Sequence, residues 1–132
     1  MPLQAQPMIA VADVEASSRW YCRLLGAASG HGGGEYEQIV ADGRIVLQLH
    51  AWDVHEHPHL GDPSRPRGNG VLLWFQLDAF DAALRAAAEL GAAVLQPPAV
   101  NPFARHREVW LRDLDGYVVV IAGRPGDLGG AT

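Results

Sequence analysis

The sequence predicts an α+β fold built from two tandem βαβββ units, because the same two signals each occur twice. A stretch of helical periodicity begins after an aspartate and ends at a glycine at residues 13–26, and again at residues 78–91. An Asp-Gly pair between two apolar runs, which favours a tight β-hairpin turn, occurs at residues 42–43 and 115–116. Neither unit could bury its helix and its sheet face alone, so we expect the two units to cover one another.

The first unit, about residues 6–50, is predicted from periodicity and from turn residues. Asp13 is a favourable helix N-cap residue, and Gly26 suits the left-handed position that follows a helix. We predict a strand at 8–12, a helix at 14–25, a short strand at 27–29 and hairpin strands at 36–40 and 44–50.

The second unit, about residues 71–122, follows the same order, and Asp78 is predicted to cap its helix, which ends at Gly91. We predict a buried strand at 71–77, a short strand at 94–95, a proline-bearing loop at 96–105, hairpin strands at 109–111 and 117–121, and a flexible tail at 123–132. The linking residues 51–70 are rich in Pro, Gly and His. A loop of this length is either functional or a linker.

Composition indicates a globular protein and excludes several functions. At 132 residues the chain has the size of a single domain. The net charge of −5 argues against a nucleic-acid partner, which needs a basic face. All ten basic side chains are arginine, so Schiff-base chemistry on a lysine is excluded. Cys22 is the only cysteine and no apolar run is long enough to span a membrane, so we expect a cytoplasmic protein without a membrane partner.

Three segments carry a family resemblance: Val11-Ala12-Asp13, Trp20-Tyr21 followed by Leu25-Gly26, and Arg112-Asp113-Leu114-Asp115-Gly116. The chain resembles the vicinal-oxygen-chelate superfamily over residues 6–122. This superfamily includes glyoxalase I, bleomycin-resistance proteins, fosfomycin-resistance transferases and extradiol dioxygenases. The resemblance implies the glyoxalase/bleomycin-resistance fold, in which the two units form a cupped mixed sheet. It also implies a homodimer, which open sheet edges favour as well.

The resemblance implies where a divalent metal would bind: at the start of the first strand, on the last strand of the first unit, and at the equivalent places in the second unit. Carried over, these positions fall on Gln6, Leu47, Val71 and Val120. Only Gln6 offers a donor atom, and one neutral ligand would not repay the dehydration of the ion, so we expect no metal cofactor. A register slip of one residue would present Gln48 in place of Leu47.

The histidines of the linking loop are an alternative metal site. His55, His57 and His59 alternate, so they share a face in an extended segment, and imidazole suits metals such as Zn, Ni or Fe. The competing interpretation is a solvated lid, stiffened by prolines, in which the histidines face water.

Period-2 alternation predicts which strand residues share a face. If these faces line the cup, aromatic rings supply contact area for a flat or hydrophobic ligand, and polar groups fix its orientation. The predicted ligand-binding residues are Gln6, Gln48, His50, Trp74, Gln76, His106, Glu108 and Trp110.

Glu108 is the candidate catalytic residue. In an apolar cup the pKa of this carboxyl could be raised, which would let Glu108 act as a general base, or Glu108 could simply pair with an arginine. His106 lies two residues away, so both side chains point to the same face and could act together.

These observations lead to two functional hypotheses. The first is a metal-free, bleomycin-resistance-like protein that sequesters a small hydrophobic or aromatic molecule as a resistance or self-protection factor. The alternative is a metal-dependent lyase or dioxygenase of the same superfamily. It would bind Zn, Ni, Mn or Fe through Gln6, His50 or the loop histidines, together with Glu108.

Overall fold

The structure, a computed structural model, describes residues 4–52, 64 and 71–129. The chain divides into two compact units, Met1–Arg67 and Gly68–Thr132. Within the described residues, each unit contains one helix and one four-stranded mixed sheet, which confirms the predicted α+β fold of two βαβββ units. Neither helix in the described part of the chain is long and apolar enough to cross a membrane. Most of the linking loop 51–70, with His55, His57 and His59, lies outside the described residues.

The first unit follows the predicted order closely. Its elements are β1 (Met8–Val11), α1 (Val14–Leu25), β2 (Ala28–Ser29), β3 (Tyr36–Ala41) and β4 (Arg44–Ala51). The strand order in the sheet is β1-β4-β3-β2, with β1 parallel to β4 and the other pairs antiparallel.

Local capping explains the bounds of α1 and of the first hairpin. The Asp13 carboxylate accepts a hydrogen bond from the Ala16 N–H at 2.9 Å, and Gly26 has a φ of 65°. The hairpin turns at Asp42 and Gly43, with φ values of 52° and 73°, and Ala41 pairs with Arg44. This is the predicted two-residue turn, which needs positive φ at both positions.

Helix α1 lies on one face of the first sheet, the face that carries Glu37. The Ser18 hydroxyl of α1 donates to the Glu37 carboxylate at 2.8 Å. Ile39, Leu47 and Leu49 share this face by strand pairing and are fully buried. Tyr36, Gln38, Gln48 and His50 therefore point to the opposite face, which we call the first outer face.

Glu37 also fixes the glycine-rich segment that follows β2. Its carboxylate accepts hydrogen bonds from the Ser29 hydroxyl at 2.6 Å and from the backbone N–H groups of His31 and Gly32 at 3.0 and 2.8 Å. Burial raises the pKa of Glu37, but these hydrogen bonds and the one from Ser18 outweigh it and lower the pKa to about 2. Glu37 is therefore an ionised structural residue that ties β3, α1 and the segment after β2 together.

The second unit has the same order of elements, but several details of the prediction are corrected. Its elements are β5 (Leu72–Gln76), α2 (Phe80–Leu90), β6 (Ala93–Asn101), β7 (His106–Arg112) and β8 (Val118–Ala122). The strand order is β5-β8-β7-β6, with β5 parallel to β8. Strand β5 was predicted to be buried, but it is an edge strand in which only Leu73 is buried.

Helix α2 begins one residue later than predicted. Its N-cap is Ala79, which makes no side-chain capping bond, so the prediction that Asp78 caps the helix is wrong. The Leu77 N–H still donates to the Ala122 carbonyl at 2.8 Å, which keeps the chain extended beyond the end of β5. Gly91, with a φ of 64°, ends the helix as predicted.

The second hairpin does not turn in two residues. Arg112 pairs with Val118, and the Asp113 carboxylate accepts hydrogen bonds from the N–H groups of Asp115 and Tyr117 at 2.9 and 2.8 Å. Gly116 has a φ of 94°, whereas Asp115 does not adopt positive φ. The Asp113 side chain thus stabilises a longer turn than the Asp-Gly pair predicted.

The proline-bearing segment is mostly a strand rather than a loop. Strand β6 extends through Pro97 and Pro98 to Asn101 and pairs with β7, with breaks in register either side of Gln96. Proline cannot donate to a sheet ladder, but it is tolerated in an edge strand with bulges. The position of β6 at the edge of the sheet is the physical reason that this prediction was wrong.

Residues 123–129, predicted as a flexible tail, are instead held against β7. The Arg107 guanidinium donates to the Asp127 carboxylate at 3.1 Å and to Asp81 of α2 at 2.8 Å. The backbone adds bonds from the Arg107 N–H to Asp127 and from the Gly126 N–H to Arg105. Arg107 therefore joins this segment to the helix and the sheet.

The lowered pKa of Glu37 predicts acid-sensitive stability. The folded-state pKa of about 2 lies below the ordinary value of 4.5, so the contribution of Glu37 is complete above pH 4.5 and is lost as the pH falls towards 2. We expect urea unfolding to show a loss on the order of 3 kcal/mol across this window, most of it absent in Glu37→Gln. The exposed neighbour Glu35 provides the control, Glu35→Gln, which should keep the wild-type profile. Identical pH profiles for wild type and Glu37→Gln would contradict the assignment.

Candidate functional site

The second sheet presents a set of aromatic and polar side chains on the face that α2 does not cover. Arg107 of β7 lies over the Phe80 ring of α2, with the guanidinium carbon 4.5 Å from the ring centroid. Strand alternation then directs the neighbouring residues of β7 away from the helix. Their partners across β8 and β5 share that direction. We call this set the second outer face; it consists of Trp74, Gln76, His106, Glu108 and Trp110.

Glu108 is the centre of hydrogen bonding on the second outer face. Its carboxylate lies 2.6 Å from His106 Nε2, and it accepts from the Trp110 indole N–H at 3.0 Å and from the Asn101 amide at 3.3 Å. Both Glu108 and His106 are buried. Burial raises the pKa of Glu108, but the hydrogen bonds from Trp110, His106 and Asn101 outweigh it and lower the pKa.

Of the two alternatives for Glu108, the raised pKa is the one that the structure contradicts. Its carboxylate is ionised and accepts hydrogen bonds on both oxygens, which leaves it poorly suited to remove a proton from a ligand. The paired interpretation holds, but the partners are His106, Trp110 and Asn101 rather than an arginine.

Asn101 is a member of this cluster that the sequence analysis missed. Its Oδ1 accepts hydrogen bonds from the N–H groups of Phe103 and Ala104 at 3.0 and 3.1 Å, which leaves Nδ2 to donate to Glu108. The Asn101-Pro102 pair is a recognisable turn signal. Its contact with Glu108 could not be found from the sequence because that contact requires β6, which was predicted as a loop.

The first outer face carries a separate chain of hydrogen bonds. Gln38 Nε2 donates to the Tyr36 hydroxyl at 3.1 Å, the hydroxyl donates to Gln48 Oε1 at 2.5 Å, and Gln48 Nε2 donates to the backbone carbonyl of Gln6 at 2.9 Å. His50 shares this face and is buried, with Nδ1 3.0 Å from the Ala51 carbonyl. Period-2 alternation in β3 could have identified Tyr36 and Gln38.

The structure corrects the register from which the metal positions were derived. The helices begin at Val14 and Phe80, one residue further apart than Asp13 and Asp78, so the position equivalent to Gln6 is Leu72 rather than Val71. Val71 precedes β5.

The last-strand position shifts in the same way. Met8 of β1 pairs with Gln48, and the equivalent residue of β5, Trp74, pairs with Val120. Gln48 is therefore the counterpart of Val120. Leu47 is buried on the face that α1 covers, so its assignment was wrong.

The corrected positions do not fit a divalent metal. Leu72 and Val120 carry no donor atom, and the amide oxygen of Gln48 already accepts the Tyr36 hydroxyl. Among the residues that the structure describes, no group of three or more His, Cys, Asp or Glu side chains is arranged to hold an ion.

Comparison with known proteins agrees with the resemblance to the vicinal-oxygen-chelate superfamily that the sequence showed. A sequence model of the Glyoxalase/Bleomycin resistance protein/Dioxygenase superfamily matches residues 4–121. A search of curated proteins finds no significant match.

Several solved structures share the fold at low identity. A glyoxalase/bleomycin resistance protein/dioxygenase family enzyme from Burkholderia phytofirmans PsJN has a TM-score of 0.74 at 20% identity, covering 89% of this chain and 95% of that one. A glyoxalase-related enzyme from Fulvimarina pelagi has a TM-score of 0.72 at 21% identity, covering 94% and 89%. The fosfomycin resistance protein FosX from Mesorhizobium loti has a TM-score of 0.67 at 14% identity, covering 93% and 92%.

These structural likenesses concern the fold alone, whereas the match to the family model spans nearly the whole chain. The protein therefore belongs to the Glyoxalase/Bleomycin resistance protein/Dioxygenase superfamily.

Proposed function

We propose that this protein is a metal-free, small-molecule-binding member of the superfamily that sequesters a flat hydrophobic or aromatic compound on the second outer face. The observation that carries the proposal is Trp74, a large aromatic side chain that is 45% exposed and lies beside the buried His106. The two ring centroids are 5.8 Å apart. An exposed aromatic ring next to a few fixed polar groups is typical of small-molecule sites.

The strand pairing places two tryptophans on this face, on either side of a buried valine. Trp74 and Trp110 are the partners of Val120 on its two sides, and Val120 is fully buried. The indole N–H of Trp110 is held by Glu108, so this ring has a fixed orientation. Two aromatic side chains on one face offer a flat ligand contact area at a small cost in conformational entropy.

The metal-free part of the proposal is supported by the donor set. The residues at the superfamily's metal positions, Gln6, Gln48, Leu72 and Val120, include two aliphatic side chains and no charged ligand. A lyase or dioxygenase that depends on Zn, Ni, Mn or Fe would need donors that these positions lack. Sequestration lowers the free concentration of a harmful compound, so we propose a role in resistance or self-protection, in the cytoplasm.

We also propose that the protein is a homodimer. Strand β6 forms one edge of the second sheet, and its apolar side chains Val94, Leu95 and Val100 are each 44–54% exposed. An exposed apolar edge strand invites pairing with another chain, and a second copy would cover it symmetrically.

Tryptophan fluorescence tests ligand binding. Titration with a panel of naphthalene, quinoline and anthraquinone derivatives should quench the emission, and Trp74→Ala should weaken binding of the best compound about tenfold through lost ring contact. Trp110→Ala should abolish most of the quenching. Trp20 lies buried in α1 of the first unit, so Trp20→Phe is the control and should keep the affinity. Failure of every compound to bind would refute the proposal.

Elemental analysis tests the absence of a metal. Protein purified without chelators and then dialysed against Zn, Ni, Mn or Fe should retain less than one tightly held ion per chain, because the donor set cannot offset dehydration. Ligand affinity should be unchanged by EDTA. One retained ion per chain, together with EDTA-sensitive binding, would favour the metal-dependent lyase or dioxygenase.

Sedimentation tests the dimer. The mass in solution should be about twice the chain mass of 14.2 kDa. A charge on the edge, as in Val100→Lys, should shift the protein towards monomer, because burying an unpaired ammonium in the contact is unfavourable. Arg124→Lys, which keeps its charge on an exposed residue outside β6, should leave the mass unchanged. A monomer at micromolar wild-type concentration would contradict the proposal.

A further inference from the structure

Resting on the proposed function, we infer that His106 selects the ligand: the second outer face accepts flat molecules that present an O–H or N–H donor at their edge, which His106 Nδ1 receives. Glu108 is the positioning residue that holds the imidazole in the required tautomer. The structure thus narrows the ligand from any aromatic compound to phenol-like, enol-like or ring-N–H compounds.

The first step is that His106 Nε2 must carry a hydrogen. Glu108 is an ionised carboxylate, which can only accept hydrogen bonds, and His106 Nε2 lies 2.6 Å from its Oε2. The Asn101 amide cannot be flipped so that its oxygen faces Glu108, because that oxygen accepts hydrogen bonds from two backbone N–H groups. The same Glu108 oxygen therefore accepts from both Asn101 and His106.

The second step concerns the other ring nitrogen. A neutral imidazole with its hydrogen on Nε2 carries its lone pair on Nδ1 and can only accept there. None of the hydrogen bonds that His106 makes within the described part of the chain involves Nδ1. About 9% of the His106 side chain remains exposed. His106 is thus a largely buried residue that keeps one unused acceptor.

The third step is the position of Trp74. Its ring lies 5.8 Å from the His106 ring, tilted by 54°, and is far more exposed. A flat ligand packed on Trp74 brings its edge to the neighbouring imidazole. A ligand with a donor at that edge satisfies Nδ1, whereas an ether oxygen would place lone pair against lone pair. Sites built around a buried polar group discriminate in this way, because the wrong ligand leaves that group unpaired.

A matched ligand pair tests the inference in the wild-type protein. The probes are 2-naphthol and its methyl ether, 2-methoxynaphthalene, titrated at pH 8, where imidazoles are ordinarily neutral. We expect 2-naphthol to bind about tenfold more tightly, although the ether is the more hydrophobic compound. Equal affinities would overturn the role of His106 and leave sequestration standing. If neither probe binds, the inference is overturned, and the wider panel of aromatic compounds decides separately whether sequestration survives.

The tautomer of His106 provides a second measurement. It would not change on substitution of Glu108 if Glu108 only stabilised the fold. Nitrogen NMR of the wild-type protein should show His106 protonated on Nε2 and bare on Nδ1. In Glu108→Gln the amide can no longer accept from all three donors, so the tautomer should become mixed and the affinity ratio of the two probes should fall to about one. His31 lies in the first unit, and His31→Gln is the control that should keep the ratio. Thermal melting shows whether Glu108→Gln is folded. If this variant is unfolded, the tautomer of His106 in the wild-type protein decides, because a hydrogen on Nδ1 would overturn the inference.

Discussion

Helix coverage decides which strand residues in this protein are available for function. In each unit one helix covers one face of a four-stranded sheet, and strand alternation directs every second residue to the other face. The contact of Ser18 with Glu37 fixes this assignment in the first unit, and the stacking of Arg107 on Phe80 fixes it in the second. A shift of one residue in either sheet would exchange the aromatic and polar side chains for the apolar core.

Among the residues that the structure describes, each unit buries one glutamate, and the two differ in what surrounds them. The hydrogen-bond donors that the described residues supply to Glu37 are serine hydroxyls and backbone N–H groups, so this carboxylate serves to hold the fold. Glu108 accepts from His106, whose second nitrogen makes no hydrogen bond to any residue that the structure describes. The same interaction, an ionised carboxylate surrounded by donors, stabilises structure in the first unit and holds the His106 imidazole in the second.

The sequence predicted the order of elements, the bounds of α1 and the first hairpin, because these depend on local capping and on positive φ at Asp42 and Gly43. Alternation also placed Glu108 and Trp110 on one face. The rest depends on tertiary contacts. Pro97 and Pro98 indicate a loop until the edge position of β6 is known, and the Asp113 carboxylate lengthens the second turn. The contact between Asn101 and Glu108 follows from that unrecognised strand.

The register correction changes which residues occupy the superfamily's metal positions, but it does not supply a metal site. Gln48 replaces Leu47 and adds an amide, yet its oxygen is already used by Tyr36, and Val120 remains an aliphatic residue packed in the sheet. On the proposed function, ligand recognition would come from the side chains of the second outer face, where His106 combines burial with an acceptor that no described residue uses.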